Sequence, residues 1–254
     1  MIAALSVAGV DSSGGAGVTA DLAAFAAQGV WGACAVTAIT AQNTVGVDAV
    51  EMLSPDIVRA QIEAVCGDLV VGAAKTGMVG SAAIVAAVAD ALPFGLPLVV
   101  DPVMVATTGA SLFDGDVDYA ALLARATIAT PNADEACVLT GIEVLDDDSM
   151  VRAARGVLEF GCHAALVKGG HVGAGAARDC LLIAGQPGPV WLESPRVTNG
   201  ETHGTGCVLS ASIAAGLALG DDITAACRRG KTAVTKAIEN RIRLGKGTPA
   251  ANPR

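Results

Sequence analysis

The stretch "ETHGTGCVLS", residues 201–210, leads from a turn of small residues into an alanine-rich segment. Gly204 and Gly206 let the backbone bend, and the composition after them predicts a helix over 205–219. Because the first N–H groups of a helix have no partner inside it, the turn predicts an anion site. Cys207 at that site is expected to ionise more easily than a free thiol. The alternative interpretation, a small buried core cysteine, is the one that suits the other six cysteines.

Short apolar runs alternate with longer alanine-rich segments along the rest of the chain. The runs predict strands over 2–9, 33–39, 69–75, 97–101, 126–130 and 164–170, and the segments predict helices over 18–28, 55–66, 81–91, 117–125, 133–140, 149–160 and 221–240. This alternation predicts an α/β fold with a mostly parallel sheet and helices on both faces. Residues 179–185 and 188–194 predict an antiparallel pair at one edge.

Composition limits the classes of partner. The chain has 254 residues, is 52% hydrophobic and carries a net charge of −9 with only 3% aromatic residues. These values predict one domain, residues 1–244, with a flexible polar tail, 245–254, and they argue against nucleic acid as a partner. The apolar stretch 81–100 contains Asp90, Pro93 and Gly95, so we expect no membrane span. Seven cysteines without a C-x-x-C pair favour a reducing cytoplasm.

The predicted strands end in polar residues, and ligands of open α/β sheets bind at these ends. Asp101 follows the fourth strand, Asn132 and Glu135 follow the fifth, and Lys168 follows the sixth. Carboxylates suit Mg²⁺ and a lysine suits phosphate oxygens, so together they predict a phosphate and magnesium site. Helix capping is the structural alternative for Asn132, and a solvated strand end is the alternative for Lys168.

The glycine-rich stretch from Gly9 to Gly17 fits neither standard nucleotide loop. It begins like a P-loop, but Gly15-Ala16 stands where Lys-Ser/Thr is required. It matches the dinucleotide fingerprint only loosely, and no acidic residue closes the next strand to bind a ribose. We therefore expect either a flexible turn or a close approach of backbone to a ligand, and a Rossmann oxidoreductase is disfavoured.

Seven motifs, in order along residues 2–240, resemble the hydroxymethylpyrimidine/phosphomethylpyrimidine kinases of thiamine biosynthesis, in the ribokinase-like superfamily. They are "SGGAGVTADL", "AQNT", "KTGM", "DPVMVA", "TPNADEA", "VKGGH" and "THGTGC". The resemblance implies a ribokinase-like three-layer sandwich and the phosphorylation of 4-amino-5-hydroxymethyl-2-methylpyrimidine by MgATP, then of its monophosphate to the diphosphate. It also implies a cytoplasmic homodimer that binds small molecules.

The resemblance also implies roles for individual residues. The pyrimidine would be bound by Gly9, Asp21, Gln42, Met78 and Val103; the nucleotide by Asn132, Glu135, Lys168 and Thr202; the metal by Asp101 and Glu135; and catalysis would be carried out by Cys207, Gly204, Thr205, Gly206 and Lys168. A glutamine amide offers a donor and an acceptor, so Gln42 can pair with the ring nitrogen and the amine of an aminopyrimidine. Cys207 is expected to accept the proton of the hydroxymethyl group.

Two other functions stay open from the sequence. A pyridoxine or pyridoxal kinase would present the same type of cysteine to a ring hydroxymethyl group, and Gln42 is the feature that favours the aminopyrimidine instead. A non-catalytic pyrimidine sensor would need no base, and it could lose Asp101 or Lys168, which are both present. Val10 and Ser12 depart from the family pattern and leave fine substrate preference open.

Overall fold

The computed structural model describes residues 1–104, 118–170, 175–197 and 201–254. Its strands are β1 (Ala3–Asp11), β2 (Trp31–Gln42), β3 (Val47–Met52), β4 (Val71–Thr76), β5 (Leu98–Val100), β6 (Ile128–Ala129), β7 (Ala164–Val167), β8 (Ala177–Ile183) and β9 (Val190–Ser194). Its helices are α1 (Gly17–Ala27), α2 (Pro55–Asp68), α3 (Ala82–Ala91), α4 (Ala120–Leu123), α5 (Ala133–Thr140), α6 (Asp147–Leu158), α7 (Thr205–Ala218) and α8 (Ile223–Glu239). Within these residues, no helix is both long enough and apolar enough to cross a membrane.

The nine strands form one sheet in the order β3-β2-β1-β4-β5-β6-β7-β8-β9. The six central strands, from β2 to β7 in that order, pair in parallel. Their carboxyl ends therefore lie along the same edge of the sheet, where ligands of such folds bind. The predicted mostly parallel α/β sandwich is confirmed.

Alternating strand residues face two hydrophobic cores, one on each side of the sheet. The helices that cover these cores form the outer layers of the sandwich. Leu5, Val7 and Val100 pack with helices α2 to α6, whereas Ala4 and Val99 pack with α1, α7 and α8. Helix α7 is buried on nearly every side, from Val208 to Gly216, between the sheet and α8. Burial of this kind holds the amino end of α7 firmly at the ligand edge of the sheet.

One strand was not predicted, and one predicted helix differs from the structure. The predicted antiparallel pair β8–β9 is present. Strand β3 forms a second antiparallel edge beside β2. The apolar runs did not indicate this strand, because most of its side chains are exposed. The helix predicted over 117–125 is limited to α4, and residue 117 lies outside the described residues. So do residues 105 and 106 of the "DPVMVA" motif and residue 171 of "VKGGH".

The tail was expected to be flexible, and in the structure residues 248–252 of it make backbone hydrogen bonds to the rest of the fold. The amide of His203 donates to Pro249 O at 2.8 Å, and the amide of Ala251 donates to His203 O at 2.9 Å. The amide of Asn252 donates to Ala237 O at 3.0 Å, and Ala250 exchanges two backbone hydrogen bonds with Ile242. The polar composition of the tail concealed these contacts because they are made by backbone atoms.

Deleting residues 247–254 is expected to lower stability. The lost backbone bonds are worth about 1 kcal/mol each before the entropy of the freed segment is deducted, so a fall in Tm of about 5 °C follows. Thermal unfolding followed by circular dichroism measures the effect. Deleting only Pro253 and Arg254 is the matched control, and an unchanged Tm in the longer deletion would restore the flexible tail.

Candidate active site

The Asp101 carboxylate gathers donors from three parts of the fold. Directly after β5, it accepts from Lys168 Nζ at 2.9 Å and from Thr130 Oγ1 at 3.2 Å, both at Oδ1. Ser210 Oγ on α7 donates to Oδ2 at 3.0 Å. Burial alone would raise the pKa of Asp101, but the cations of Lys168 and Lys75 and the donated hydrogen bonds hold it below its ordinary value. Asp101 is therefore charged at neutral pH.

Asn132 and Glu135 form a capping box at the start of α5. Asn132 Oδ1 accepts from the amide of Glu135 at 2.8 Å, and Glu135 Oε2 accepts from the amide of Asn132 at 2.7 Å. The same Oε2 lies 3.6 Å from Lys168 Nζ. Burial, opposed by Lys168, raises the pKa of Glu135 to about 7. Asn132 thus has the helix-capping role that was its structural alternative, and Glu135 completes the cap while also facing the lysine.

The turn before α7 presents free backbone N–H groups. Gly204 has φ of 80°, and a Cβ there would lie 1.9 Å from Gly15 O, so this position needs glycine. The first helical bond runs from the amide of Val208 to Gly204 O at 3.0 Å, which leaves the amides of 205–207 without helical acceptors. No side chain in the described part of the molecule caps this end. The predicted anion site has the required geometry.

This turn lies against the Asp101–Lys168 pair. A Cβ on Gly206 would be 3.6 Å from both Asp101 Oδ2 and Lys168 Nζ, so the glycine leaves the lysine ammonium accessible from the turn. Thr202 Oγ1, just before the turn, is buried and has no hydrogen-bond partner among the residues that the structure describes. An unpaired buried hydroxyl and an adjacent ammonium suit a phosphate oxygen.

A second ion pair lies beneath Cys207 and is fully buried. Lys75 Nζ on β4 binds both oxygens of Asp21 on α1, at 2.8 and 2.9 Å, and Ser6 Oγ donates to Asp21 at 2.6 Å. A Cβ on Gly77 would lie 2.8 Å from Lys75 Nζ, which explains the glycine of the "KTGM" motif. Burial would lower the pKa of Lys75, but the Asp21 carboxylate holds it above its ordinary value.

The thiol of Cys207 does not ionise easily, which corrects the expectation from the sequence. Burial raises its pKa to about 11, although the Lys75 cation and the amide of Gly17, which donates to the sulfur, act in the opposite direction. Asp21 and Asp101 add negative charge that raises it further. The helix end is present as predicted, but the thiol is partly buried and the nearby carboxylates balance the lysines, so it stays protonated at neutral pH.

The predicted pyrimidine residues are spread over neighbouring strand ends. A Cβ on Gly9 would be 3.0 Å from Met78 Sδ, which places those two side by side on β1 and after β4. Gln42 ends β2, and half-buried Val103 follows β5, with its carbonyl accepting from Tyr119 at 2.9 Å. Asp21 differs: it is inaccessible to solvent, and its oxygens accept hydrogen bonds from Lys75 and Ser6.

Three ionisable side chains at the site had no role predicted from the sequence. They are Lys75, described above, and the buried pair in which His203 Nε2 lies 2.8 Å from Asp11 Oδ2. All three occur in quoted motifs or loops, since Lys75 opens "KTGM", Asp11 lies in the first glycine-rich loop and His203 stands two residues before Thr205. The sequence signal that could have identified these residues is an ionisable side chain close to a glycine turn.

The donor set can be tested for a divalent cation. In residues 1–104, 118–170, 175–197 and 201–254, no group of three or more His, Cys, Asp or Glu side chains is placed to share a metal ion. Asp101 and Glu135 nevertheless flank one ammonium with carboxylate oxygens, at 2.9 and 3.6 Å. Hard oxygen ligands in small number are what Mg²⁺ uses when substrate phosphates complete its coordination, so the residues fit that ion.

The high pKa of Cys207 predicts a specific alkylation profile. Only the thiolate reacts, so carbamidomethylation of Cys207 in the free protein should rise about tenfold per pH unit between pH 7 and 10. Peptide mass spectrometry of samples treated with iodoacetamide measures the rate. The Lys75→Met variant removes the cation that favours the thiolate, so it should react more slowly at each pH. A plateau reached between pH 6 and 8 would contradict the burial argument.

Comparison with known proteins agrees with this geometry. Residues 11–252 match the family model described as phosphomethylpyrimidine kinase. A hydroxymethylpyrimidine/phosphomethylpyrimidine kinase of Rhizobium meliloti is 48% identical over 96% of this chain and 94% of its own length. The solved phosphomethylpyrimidine kinase of Clostridium difficile is 39% identical, with a TM-score of 0.79 over 94% of this chain and 100% of its own. A Bacillus subtilis pyridoxal kinase in complex with ADP is 31% identical, with a TM-score of 0.87 over 99% and 97%. The chain therefore belongs to the phosphomethylpyrimidine kinase family.

Proposed function

We propose that this chain transfers the γ-phosphoryl group of ATP to the hydroxymethyl oxygen of 4-amino-5-hydroxymethyl-2-methylpyrimidine, and then a second phosphoryl group to the monophosphate. The observation that carries the proposal is the meeting of three features at one edge of the sheet. They are the free amides of 205–207, the ammonium of Lys168 and the thiol of Cys207. Family membership supports the choice of substrate.

Charge neutralisation is the main contribution that this site makes to phosphoryl transfer. The transition state is stabilised chiefly by positioning and by donors aimed at the equatorial oxygens. Lys168 supplies a fixed cation, held by Asp101 at 2.9 Å, and the amides of 205–207 supply preorganised dipoles. Thr202 Oγ1 offers a further donor to a phosphate oxygen, because it is buried and has no partner in the described part of the chain.

A divalent cation is expected because the charges of the protein already balance. Lys168 is paired with Asp101 and Lys75 with Asp21, so neither of these two lysines in the described site brings uncompensated positive charge to a triphosphate. Mg²⁺, held by Asp101 and Glu135, would supply the missing positive charge between the phosphates. The protein residues then position the acceptor, exclude water and accept the proton.

Cys207 is the proposed proton acceptor. Because the resting thiol carries a proton, Sγ first gives that proton to solvent. As the hydroxymethyl oxygen then forms its bond to phosphorus, the bond from phosphorus to the ADP oxygen breaks and the hydroxyl proton moves to the Sγ thiolate. The Gly17 amide that donates to the sulfur stabilises the thiolate before this step, and Gly17 packs against the carbonyl of Gly9 in the proposed pyrimidine wall. The sulfur therefore lies beside the residues that would hold the ring.

We further propose that the protein acts in the cytoplasm as a homodimer. All seven cysteines, each within the described residues, carry free thiols, which suits a reducing compartment. The antiparallel edge β2–β3 exposes 52% of Ile39 and 40% of Val50, an apolar surface available to a second copy.

The acceptor specificity tests the function directly. ADP release would be followed with the aminopyrimidine alcohol, its monophosphate, pyridoxine, pyridoxal and ribose in parallel. We expect turnover with the first two at a kcat/KM well above that with the vitamin B6 forms. Turnover with pyridoxine or pyridoxal alone would favour the alternative that the fold of the Bacillus subtilis pyridoxal kinase suggests. No ADP release with any acceptor would favour a non-catalytic sensor.

Replacing Cys207 by alanine is expected to slow the two phosphorylation steps to different extents. The alcohol has a proton to lose, and general-base help is worth roughly 10²–10⁴-fold, so kcat for the alcohol should fall by that range. A phosphate monoester has a second pKa of about 6 and is already ionised, so the second step should fall by less than about tenfold. Single-turnover assays with each acceptor measure both rates.

Cys227 provides the control for that substitution. It is a fully buried cysteine on α8, and burial raises its pKa to about 12, but no proposed function uses it. Cys227→Ala should leave both rates close to those of the wild type. If Cys207→Ala kept full kcat on the alcohol, the assignment of the base would be wrong.

A further inference from the structure

A buried chain of polar groups ends on the Gln42 amide. His203 Nε2 lies 2.8 Å from Asp11 Oδ2 and 3.3 Å from Gln42 Nε2, while Gln42 Oε1 lies 3.2 Å from Thr40 Oγ1. Asp11, Thr40 and His203 are each less than 8% exposed. The ring of His203 is fixed in place, because a Cβ on Gly15 would lie 2.7 Å from its Cδ2. The amide is thus the movable end of an otherwise rigid set.

The Asp11–His203 contact determines which atom His203 offers to Gln42. Asp11 Oδ1 accepts the amide and the hydroxyl of Ser13, each at 2.8 Å. Burial would raise the pKa of Asp11, but the hydrogen bonds from His203 and Ser13 hold it below its ordinary value, so the carboxylate can only accept. The proton between Asp11 and His203 therefore belongs to Nε2. Nε2 therefore has no lone pair for Gln42, and its one hydrogen, directed at Asp11, is shared only weakly with an acceptor in the position of the Gln42 atom 3.3 Å away.

Thr40 imposes the same requirement from the other side. Its hydroxyl has one hydrogen, and the nearer acceptor is Val10 O at 2.8 Å, against 3.2 Å for Gln42 Oε1. With that hydrogen given to the carbonyl, Thr40 presents lone pairs to Gln42. If Gln42 Nε2 faced His203, two donors would face each other. Gln42 Oε1 would then face the lone pairs of Thr40, so that two acceptors would also face each other. A half-turn of the amide removes both mismatches without changing its shape, because the oxygen then faces the shared Nε2 hydrogen and the nitrogen faces the lone pairs of Thr40.

The orientation of this amide matters for the acceptor ring. On the carbon next to the one that bears the hydroxymethyl group, the aminopyrimidine carries an amine, which donates. Pyridoxal carries an aldehyde on the corresponding carbon, and its oxygen only accepts. An amide that turns freely can satisfy either ring, whereas an amide with a fixed orientation can satisfy only one. A buried polar group left without a partner is what gives hydrogen-bonding sites their strong selectivity.

Resting on the proposed function, we propose that the Asp11–His203 pair, assisted by Thr40, fixes the orientation of the Gln42 amide and thereby selects an aminopyrimidine over pyridoxal. Asp11 and His203 are positioning residues, since they act on the substrate through Gln42. Oε1 of Gln42 is held toward His203, and Nε2 is held toward Thr40. The second lone pair of the oxygen and the second hydrogen of the nitrogen remain for the ring.

Asp11→Asn is the decisive variant. It keeps the oxygen that accepts from Ser13 and replaces the other oxygen by NH₂, which has the same shape but donates. His203 must then accept on Nε2, its proton moves to Nδ1, and Gln42 is no longer held in one orientation. The ratio of kcat/KM for the aminopyrimidine to kcat/KM for pyridoxal should fall at least about tenfold. The change should come from the KM values of the two rings, with the KM of ATP unchanged.

Two further variants make the result unambiguous. Ser13→Ala removes one hydrogen bond from the same carboxylate but leaves the His203 contact, so it should keep the wild-type ratio. Thr40→Val is isosteric and removes the second constraint, so it should lower the ratio even if Asp11→Asn were too unstable to assay. Thermal unfolding identifies any variant that fails to fold.

The outcomes distinguish this inference from the proposed function. A wild-type protein that phosphorylates neither pyrimidine would overturn the proposed function itself. A wild-type protein that prefers the aminopyrimidine, with an unchanged ratio in folded Asp11→Asn and Thr40→Val, would overturn only the inference. A fall in the ratio with Ser13→Ala as large as with Asp11→Asn would also overturn it, because the effect would then be general to the loop.

Discussion

The Asp101 carboxylate is the interaction on which the rest of the site depends. It is almost inaccessible to water, and an unpaired charge in such a place costs several kcal/mol. Its compensation comes from Thr130, Lys168 and Ser210, which lie on three separate elements. The charge is tolerated only when the ends of β5, β6 and β7 and the amino end of α7 are all in place. Formation of the site and completion of the fold are therefore coupled through one carboxylate.

The Lys75–Asp21 pair is a second case of a buried charge that is compensated by a partner on another element. It lies beneath Cys207, in the layer between the sheet and helices α1 and α7. Each lysine at the site has a carboxylate partner at 2.8 to 2.9 Å, so the region is nearly neutral before any ligand arrives. This balance of charge explains why Cys207 is not a thiolate in the free protein, although it lies at the amino end of α7. The dipole of a helix stabilises an anion by about 0.3–1 kcal/mol at exposed sites, which is less than the cost of dehydrating a buried thiolate.

The sequence was most informative where parallel strands end. Asp101, Asn132, Glu135 and Lys168 come together as predicted, because the carboxyl ends of parallel strands necessarily share an edge. The state of Cys207 could not be predicted, because a motif shows the helix end but not the burial of the thiol or the neighbouring carboxylates.

Three other features were missed for related reasons. Strand β3 has mostly exposed side chains, so no apolar run reveals it. Lys75 stands at the end of an apolar run, where a lysine usually marks a solvated strand end, and only its contact with Asp21 shows that it is inaccessible. Residues 248–252 dock through backbone atoms, and side-chain composition carries no information about such bonds.

The backbone amides and the Cys207 side chain differ in how their effect on phosphoryl transfer depends on pH. The amides of 205–207 are oriented by the fold and need no change of protonation to stabilise a phosphoryl group, so their effect is independent of pH. Cys207 must lose a proton whose pKa is about 11, so its effect is available only as the reaction itself or the solution removes that proton. In the proposed mechanism, α7 and its turn therefore bind and transfer the phosphoryl group, while the thiol adjusts the rate for acceptors that have a proton to give up. A nearly neutral site with buried ion pairs suits this arrangement, because the charge brought by substrates then acts in a lower effective dielectric than that of bulk water.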